Sequence, residues 1–381
     1  MRTDLKTDRI KSKPEFRFKY LLFLVLTAAL MTGGCLPGSD TETIDPGWNQ
    51  KVKNLNESTV TVGSSEEKRP ATWKAALISG SWKALSYHPF RNGAAWVCTD
   101  GDNFLQIGGE AAGRPTKQCE AISISNDTRK SIQSMAIART EAASGVTMKS
   151  IGDTTPQVIV CGGCDDAGNI LNSTEILMEN GKWTCGPPCP VAVKGAAAGG
   201  FGTMFVITGG LLANGSVSNE TFIYYTDRGY WEKSTSMTFP RYQSGSLKAE
   251  NKLIVFGGLE RSGSGNSAMA SQGIQQNSHY ESESLVVESY DIQTGQWSRL
   301  PDLPASKVGG TGVMTNETVI VFGGTSSLVA DSRVWYLEGN QSSWFPGSSS
   351  LPGGFPVIAS ILDGRITALP GVIQQLTGPK E

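Results

Sequence analysis

The feature that most restricts this chain is a recurring phrase, an apolar run closed by two glycines. It appears as Leu253-Ile254-Val255-Phe256-Gly257-Gly258 and again as Val319-Ile320-Val321-Phe322-Gly323-Gly324. Three relatives precede these, at Phe104 to Gly109, Val158 to Gly163 and Met204 to Gly210. Four to five mostly apolar residues in a row, many of them β-branched or aromatic, fit a strand buried on both faces and are too few for a helix. The doublet supplies a sharp exit without a Cβ penalty.

Each doublet is followed by a loop, a second strand, a tight turn and an aromatic anchor. The strand-and-turn units lead to Trp82, Trp183, Trp231, Trp297 and Trp344, and Ile132 stands where a sixth Trp is expected. Apart from the longer interval between Trp231 and Trp297, the anchors recur roughly every 50 residues, a period that points to four-stranded blades arranged as a propeller. The frame predicts one all-β domain over 71–371, a six-bladed β-propeller. Its last blade is expected to take two strands from each chain end, near 73–78 and 82–86 and near 357–362 and 365–369, which ties the termini together and removes an open edge. Residues 372–381 are then a tail. Each Trp is expected to fill the wide outer gap between blades.

Paired glycines after an apolar strand, followed at a distance by Trp, resemble the kelch repeat, and the resemblance covers roughly 71–371. It departs at Ile132 and in the final unit Arg365 to Gly371, where Pro-Gly replaces Gly-Gly. The resemblance implies a kelch-type propeller whose face of unequal loops binds a partner.

The N-terminal region is of another kind. Arg2, Lys6, Arg9, Lys11, Lys13, Arg17 and Lys19 precede an apolar stretch from Leu21 to Met31. That stretch is shorter than the ~20 residues a membrane span requires, and the layout is that of a secretory signal. Met31-Thr32-Gly33-Gly34-Cys35 resembles a bacterial lipobox, with Thr32 in place of the usual Leu, and implies lipidation at Cys35. Cleaved secretion and a retained anchor are the alternatives. Residues 36–70 are polar and read as a disordered tether. The expected location is extracytoplasmic, with the protein held at a membrane through residues 1–35 or secreted. The even number of cysteines beyond Cys35 suits disulfides in such a compartment, without indicating their pairing.

Charge excludes one class of partner. The chain carries a net charge of −2 and its charged residues amount to 18%, so a nucleic-acid partner, which would need a basic stripe, is not expected. No nucleophile elbow, P-loop, dinucleotide fingerprint or zinc-protease helix is present, and neither cofactor nor metal is expected.

On a propeller edge, the residues just before each first strand gather around the axis. Arg91, Arg139, Lys194, Arg241 and Lys307 recur there, with Phe355 in the sixth blade. Such a ring would attract a carboxylate or phosphate; the alternative is that these residues tie neighbouring loops together. His88 and His279, the two histidines, fall on the same edge, His279 beside Tyr280 in the long insertion 259–284. Cys161-x2-Cys164 and Cys185-x3-Cys189 have the spacing of a zinc ribbon, but Cys161 ends an apolar strand in the place of Phe256 and Phe322, which favours a packed position.

The segment Gly108 to Arg114 resembles a Gly-Glu…Arg segment of the kelch-type N-acetylneuraminate epimerase (mutarotase) family. That resemblance implies Glu110 as proton-transfer group and Arg114 as carboxylate clamp. The leading expectation is a binding module for a protein or glycan; the alternatives are this sugar-acid enzyme and a purely structural surface protein.

Overall fold

The computed structural model of the chain describes residues 81–377, apart from 88–89, 101, 155, 263–279, 316, 328, 340, 348–357, 363–364 and 370–371. The expected signal, tether and Cys35, together with His88, His279 and Phe355, lie outside the described residues.

The described residues form strands and turns throughout. Sheet one is Ala95–Cys98, Asn103–Ile107, Cys119–Ser123 and Thr128–Ile132, in that spatial order. Sheet two repeats the antiparallel meander with Ala143–Met148, Pro156–Cys161, Thr174–Leu177 and Trp183–Gly186, and sheet three with Ala197–Phe201, Met204–Thr208, Thr221–Tyr225 and Tyr230–Ser234. Sheet four comprises Gly245–Ala249, Lys252–Phe256, Val287–Asp291 and Gln296–Leu300; sheet five comprises Thr311–Thr315, Thr318–Phe322, Trp335–Glu338 and Phe345–Pro346. A parallel bridge from Ser246 to Thr311 joins these two along their first strands. The first strands contact one another in sequence from sheet one onward, and Ile358–Leu362 of the last sheet contacts Ala95–Cys98 of the first. The sheets therefore stand around an axis like blades.

Burial follows position within each sheet. Second strands are almost wholly buried, as in Pro156–Cys161 and Thr318–Phe322, because both faces of the sheet pack against neighbours. Outer strands such as Thr128–Ile132 and Gln296–Leu300 are half-buried or exposed. The hydrophobic core is accordingly divided into separate layers between adjacent sheets. Leu105 and Ile107 of sheet one pack with Val158, Val160 and Trp183 of sheet two. Ile159 and Ile176 of sheet two pack with Phe205 and Phe222 of sheet three, and Leu247 and Phe256 of sheet four with Val319 and Val321 of sheet five. Three of these Trp do more than fill the outer gap: the indole N–H of Trp183, Trp231 and Trp344 donates to the carbonyl of Gln133, Pro187 and Pro301, just after the outer strand of the preceding sheet, at 2.8, 2.9 and 2.8 Å. An amphipathic ring that buries apolar area while satisfying its single donor suits this position.

The doublets have a second purpose that the sequence pattern conceals. Both glycines of each pair are left-handed, with Gly257 at φ 61° and Gly258 at φ 91°. The second N–H donates across to the next sheet: Gly109 to Arg139 O, Gly163 to Val193 O and Gly210 to Arg241 O at 2.9 Å, and Gly258 to Lys307 O at 3.0 Å. A Cβ on Gly257 would lie 2.1 Å from that same Lys307 carbonyl. The doublet is thus a contact between blades as well as a turn.

The closing sheet differs from the expected two-plus-two arrangement. Among the described residues its order is Ser81–Tyr87, Val372–Thr377, Arg365–Leu369, Ile358–Leu362, so three strands come from the C-terminal side and one from the N-terminal side, while the strand expected near 73–78 lies outside the described residues. Residues 372–377 are a strand and not the start of a tail. Val372–Thr377 begins two residues after Arg365–Leu369 ends, where the Pro-Gly that replaces Gly-Gly would predict the end of the last blade.

Candidate functional site

The edge where first strands begin and second strands end is built in concentric tiers. Innermost is a ring of left-handed residues, Gly93, Glu141, Gly195, Gln243 and Gly309, with φ between 50 and 67°. Each after Gly93 donates its N–H to the carbonyl of the one before: Glu141 to Gly93 at 2.7 Å, Gly195 to Glu141 at 2.9 Å, Gln243 to Gly195 at 2.8 Å and Gly309 to Gln243 at 2.7 Å. Below this ring lies a channel of ≈ 610 Å³ walled by the first strands, among them Trp96, Ser144, Ala198, Gly200, Ser246 and Gly312. Ser144 and Ser246, at the same place in alternate sheets, donate to the carbonyls of Trp96 and Ala198 on the preceding sheet, at 3.0 and 3.1 Å. The small side chains let the first strands approach one another.

The recurrent basic residues sit two positions before this ring and turn away from the axis. Arg139 is 1% exposed. Its guanidinium donates to Gly162 O at 2.9 Å, to Ser173 O at 3.0 Å and to Glu175 Oε1 at 2.7 Å, all within sheet two. Arg241 does the same in sheet four with Val286 O at 2.6 Å and Glu288 Oε2 at 2.9 Å. Arg91 binds Gly108 O and Glu120, which is also held by Arg129. Lys307 reaches Asp331 Oδ2 and Arg333 O, both at 2.8 Å. Burial alone would raise the Glu120 and Asp331 carboxyls; the hydrogen bonds and charges of their cationic partners outweigh it and hold both below the ordinary value. Of the two readings of the basic ring, the geometry matches the one in which these residues tie loops together.

Lys194 falls outside the pattern. The residue that accepts from the Gly163 N–H, as Arg139 does from Gly109, is Val193. Lys194 is half-buried on the loop face and pairs with Glu141 at 3.2 Å. Where sheets two and four place Glu175 and Glu288, opposite the residue two before the doublet, sheet three has Phe222 opposite Ile207. Val193 and Phe222 share one apolar cluster. The cation and its carboxylate are replaced together.

The outer tier consists of two-stranded ribbons in the loops after the doublets: Glu110–Ala111 with Arg114–Pro115, Leu259–Ser262 with Tyr280–Glu283, and Thr325–Ser326 with Val329–Ala330. In the first, Glu110 is opposite Pro115 and Ala111 opposite Arg114. Successive residues of a strand face opposite ways, so Glu110 and Arg114 project from opposite sides of the ribbon. Glu110 accepts from Asn92 Nδ2 at 3.2 Å, and Arg114 is exposed. Neither lines the channel. The second ribbon carries the long insertion, and its strand Tyr280–Glu283 begins at Tyr280, opposite Ser262. Arg261 clamps Gly215 O at 2.8 Å and Glu281 Oε1 at 2.7 Å, and Tyr242 donates to the same Glu281 oxygen at 2.5 Å. Burial, then the Glu281 carboxylate, push the Tyr242 phenol up to about 12. Glu283 holds Ser306 and the Ser327 N–H. The ribbon is thereby fixed to the sheets on either side.

The cysteines are distributed by depth. Cys161 and Cys189 are buried together in the layer between sheets two and three, Cys164 donates to Asp165 O at 3.6 Å, and Cys185 is exposed on an outer strand.

Four-stranded sheets set around an axis, with an inner run of hydrogen-bonded left-handed residues and a rim of unequal ribbons, define a β-propeller with a loop-built face. No family model matches the chain. It is 29% identical over 157 residues to Kelch-like protein 25 of Xenopus tropicalis, across 41% of this chain and 25% of that protein. Against Kelch-like protein 25 of Homo sapiens it is 28% identical over 137 residues, 36% of this chain and 22% of that one. The chain thus spans about a quarter of the length of these relatives. The solved structure of YjhT superposes with a TM-score of 0.55 at 13% identity, covering 68% of this chain and 84% of that one, a likeness of fold alone. Its glycine pairs, outer-strand Trp and these similarities make the chain a β-propeller that is similar to kelch-repeat proteins.

Proposed function

We propose that the chain is an exported, membrane-tethered propeller that binds a partner protein through the ribbon tier of its loop face. The observation that carries this reading is how the charged residues divide. Arg139, Arg241 and Lys307 are buried inside the sheets, whereas Arg114, Arg261 and Glu281 stand on ribbons fixed to a rigid scaffold, where recognition residues usually lie. The positions of Glu110 and Arg114 on opposite sides of their ribbon weigh against a joint acid/base and clamp pair.

Export rests on the basic segment Arg2 to Lys19, the apolar stretch Leu21 to Met31 and Cys35, with 36–70 as tether.

Photoreactive side chains placed at Arg114 and Glu281, with Ile151 on the opposite edge as control, test the binding face in cells. Adducts to one protein from 114 and 281 but not 151 are expected. Equal adducts from all three, or none, would sink the reading. Retention on a glycan array with no protein adduct would point to a glycan instead. Exchange of N-acetylneuraminate anomers above background, lost in Glu110→Gln, would mark an enzyme. Separately, Cys35→Ser is expected to release the protein from membranes.

A further inference from the structure

The interface between sheets two and three lacks the buried cation–carboxylate tie of its neighbours, and two cysteines meet there. Cys161 closes the second strand of sheet two, opposite Thr174, whose hydroxyl donates to its sulfur at 3.5 Å. Cys189 lies in the connection from sheet two to sheet three. Its N–H donates to Asn172 O at 2.8 Å, which sets its backbone beside the start of the strand that pairs with Cys161. Both side chains are buried, at 0 and 1% exposure, in one cluster with Val193 and Phe222. The two thiols are close enough to shift each other: Cys189 is the chief cause that holds Cys161 below its ordinary value, and Cys161 the chief cause that pushes Cys189 up.

We propose that Cys161 and Cys189 are the sulfurs of a disulfide that locks the connection between sheets two and three, formed by thiol–disulfide exchange as this part of the chain folds. A thiolate of one cysteine attacks a sulfur of a small-molecule disulfide such as oxidised glutathione and releases one glutathione thiolate. The second cysteine thiolate then displaces the other glutathione from the mixed disulfide. One S–S bond breaks and one forms; two electrons pass from the protein thiols to glutathione, and the two protons end on the released thiols. Exchange requires an accessible thiolate. In the folded interface both sulfurs are closed off from a small-molecule disulfide, at 0 and 1% exposure. The reaction therefore precedes closure of residues 187–193.

The link would fix a segment on which two contacts depend. Pro187 O accepts the Trp231 indole N–H at 2.9 Å, and Val193 accepts from Gly163 N and donates to Leu171 O at 2.9 and 3.0 Å. Where other sheets are tied by a buried ion pair, this one would be tied covalently.

The test is a peptide map of the wild-type chain refolded in oxidised and reduced glutathione, denatured without reductant, alkylated and digested. The expected result is one joined peptide containing Cys161 and Cys189. Alkylation of both, or either one joined to a different cysteine, would overturn the proposal. The oxidised protein should also melt roughly 5–10 °C above the same chain refolded under dithiothreitol. That difference should vanish in a Cys161→Ala/Cys189→Ala variant, and its persistence there would equally overturn the proposal. If the double variant does not fold, the wild-type map decides alone.

Discussion

Arg139 donates to Glu175 across 2.7 Å with both side chains withdrawn from water, and in the next sheet the same two places are held by Val193 and Phe222. The carboxylate also accepts from the Ala136 and Ile137 N–H groups at 2.7 and 3.2 Å. A buried pair of this kind is costly to break from one side, because the surviving charge is left without a partner in a dry site. Glu175→Gln or Arg139→Met should each destabilise the fold by about 3–5 kcal/mol in urea unfolding. Arg139→Met/Glu175→Leu should cost less than the sum of the two single changes. Strict additivity would show that the two residues act independently.

The glycines separate two physical effects. Gly257→Ala meets the Lys307 carbonyl at 2.1 Å in addition to its left-handed backbone, whereas Gly309→Ala has φ 67° and open space around the added Cβ. The first should cost roughly 3 kcal/mol or prevent folding, the second about 1–2 kcal/mol. Equal losses in thermal melts would mean that the close approach between blades contributes nothing.

Acid should act through the depressed carboxylates. For Glu120 the folded value lies below the unfolded one, so the unfolded chain binds more protons as pH falls. Stability is full above the ordinary carboxylate pKa and is lost as pH drops through it toward the folded value. Melting temperature should therefore decline from about pH 5 downward, and Glu120→Gln should be less stable at neutral pH yet show a shallower decline. An unchanged acid limb would assign the loss to other groups.

Tyr242 offers a spectroscopic check on the anchored ribbon. Ultraviolet titration should show a phenol that ionises only near pH 12 and disappears in Tyr242→Phe. That variant should also lose about 1 kcal/mol and leave the ribbon easier to cleave with protease. An ordinary phenol titration in the wild type would mean that Glu281 does not hold the hydroxyl.

The doublets and the Trp anchors made the sheet order legible, because both are constrained by contacts that repeat identically. The identity of the tying groups was harder to read. A basic residue before each first strand has the same sequence appearance whether it faces the axis or folds back onto its own sheet, and only the partner carboxylates decide between the two. Those partners, Glu120, Glu175 and Glu288, lie far along the chain on third strands. Their spacing from the doublet varies with loop length, so they escape a search by period. Lys194 shares the basic character of the series, whereas the structural position belongs to its neighbour Val193; replacement of both members of the pair by apolar residues leaves no charge signal to follow. Glu110 and Arg114 look like partners by proximity in sequence, yet the two-residue ribbon sends them apart. The strand at 372–377 escapes the repeat pattern because only two residues separate it from Arg365–Leu369, in place of the long loop found in the other sheets.

The closing sheet has a consequence for synthesis. The strand Ser81–Tyr87 is made before the other described strands, but its partner Val372–Thr377 is made last. Sheets one to five can form in order behind the ribosome, since each uses neighbouring residues. The first strand must wait through all of that with its pairing edge open. The earliest of the described strands to be translated is thus among the last to be paired, and the circle is fastened only after residues 372–377 have been made.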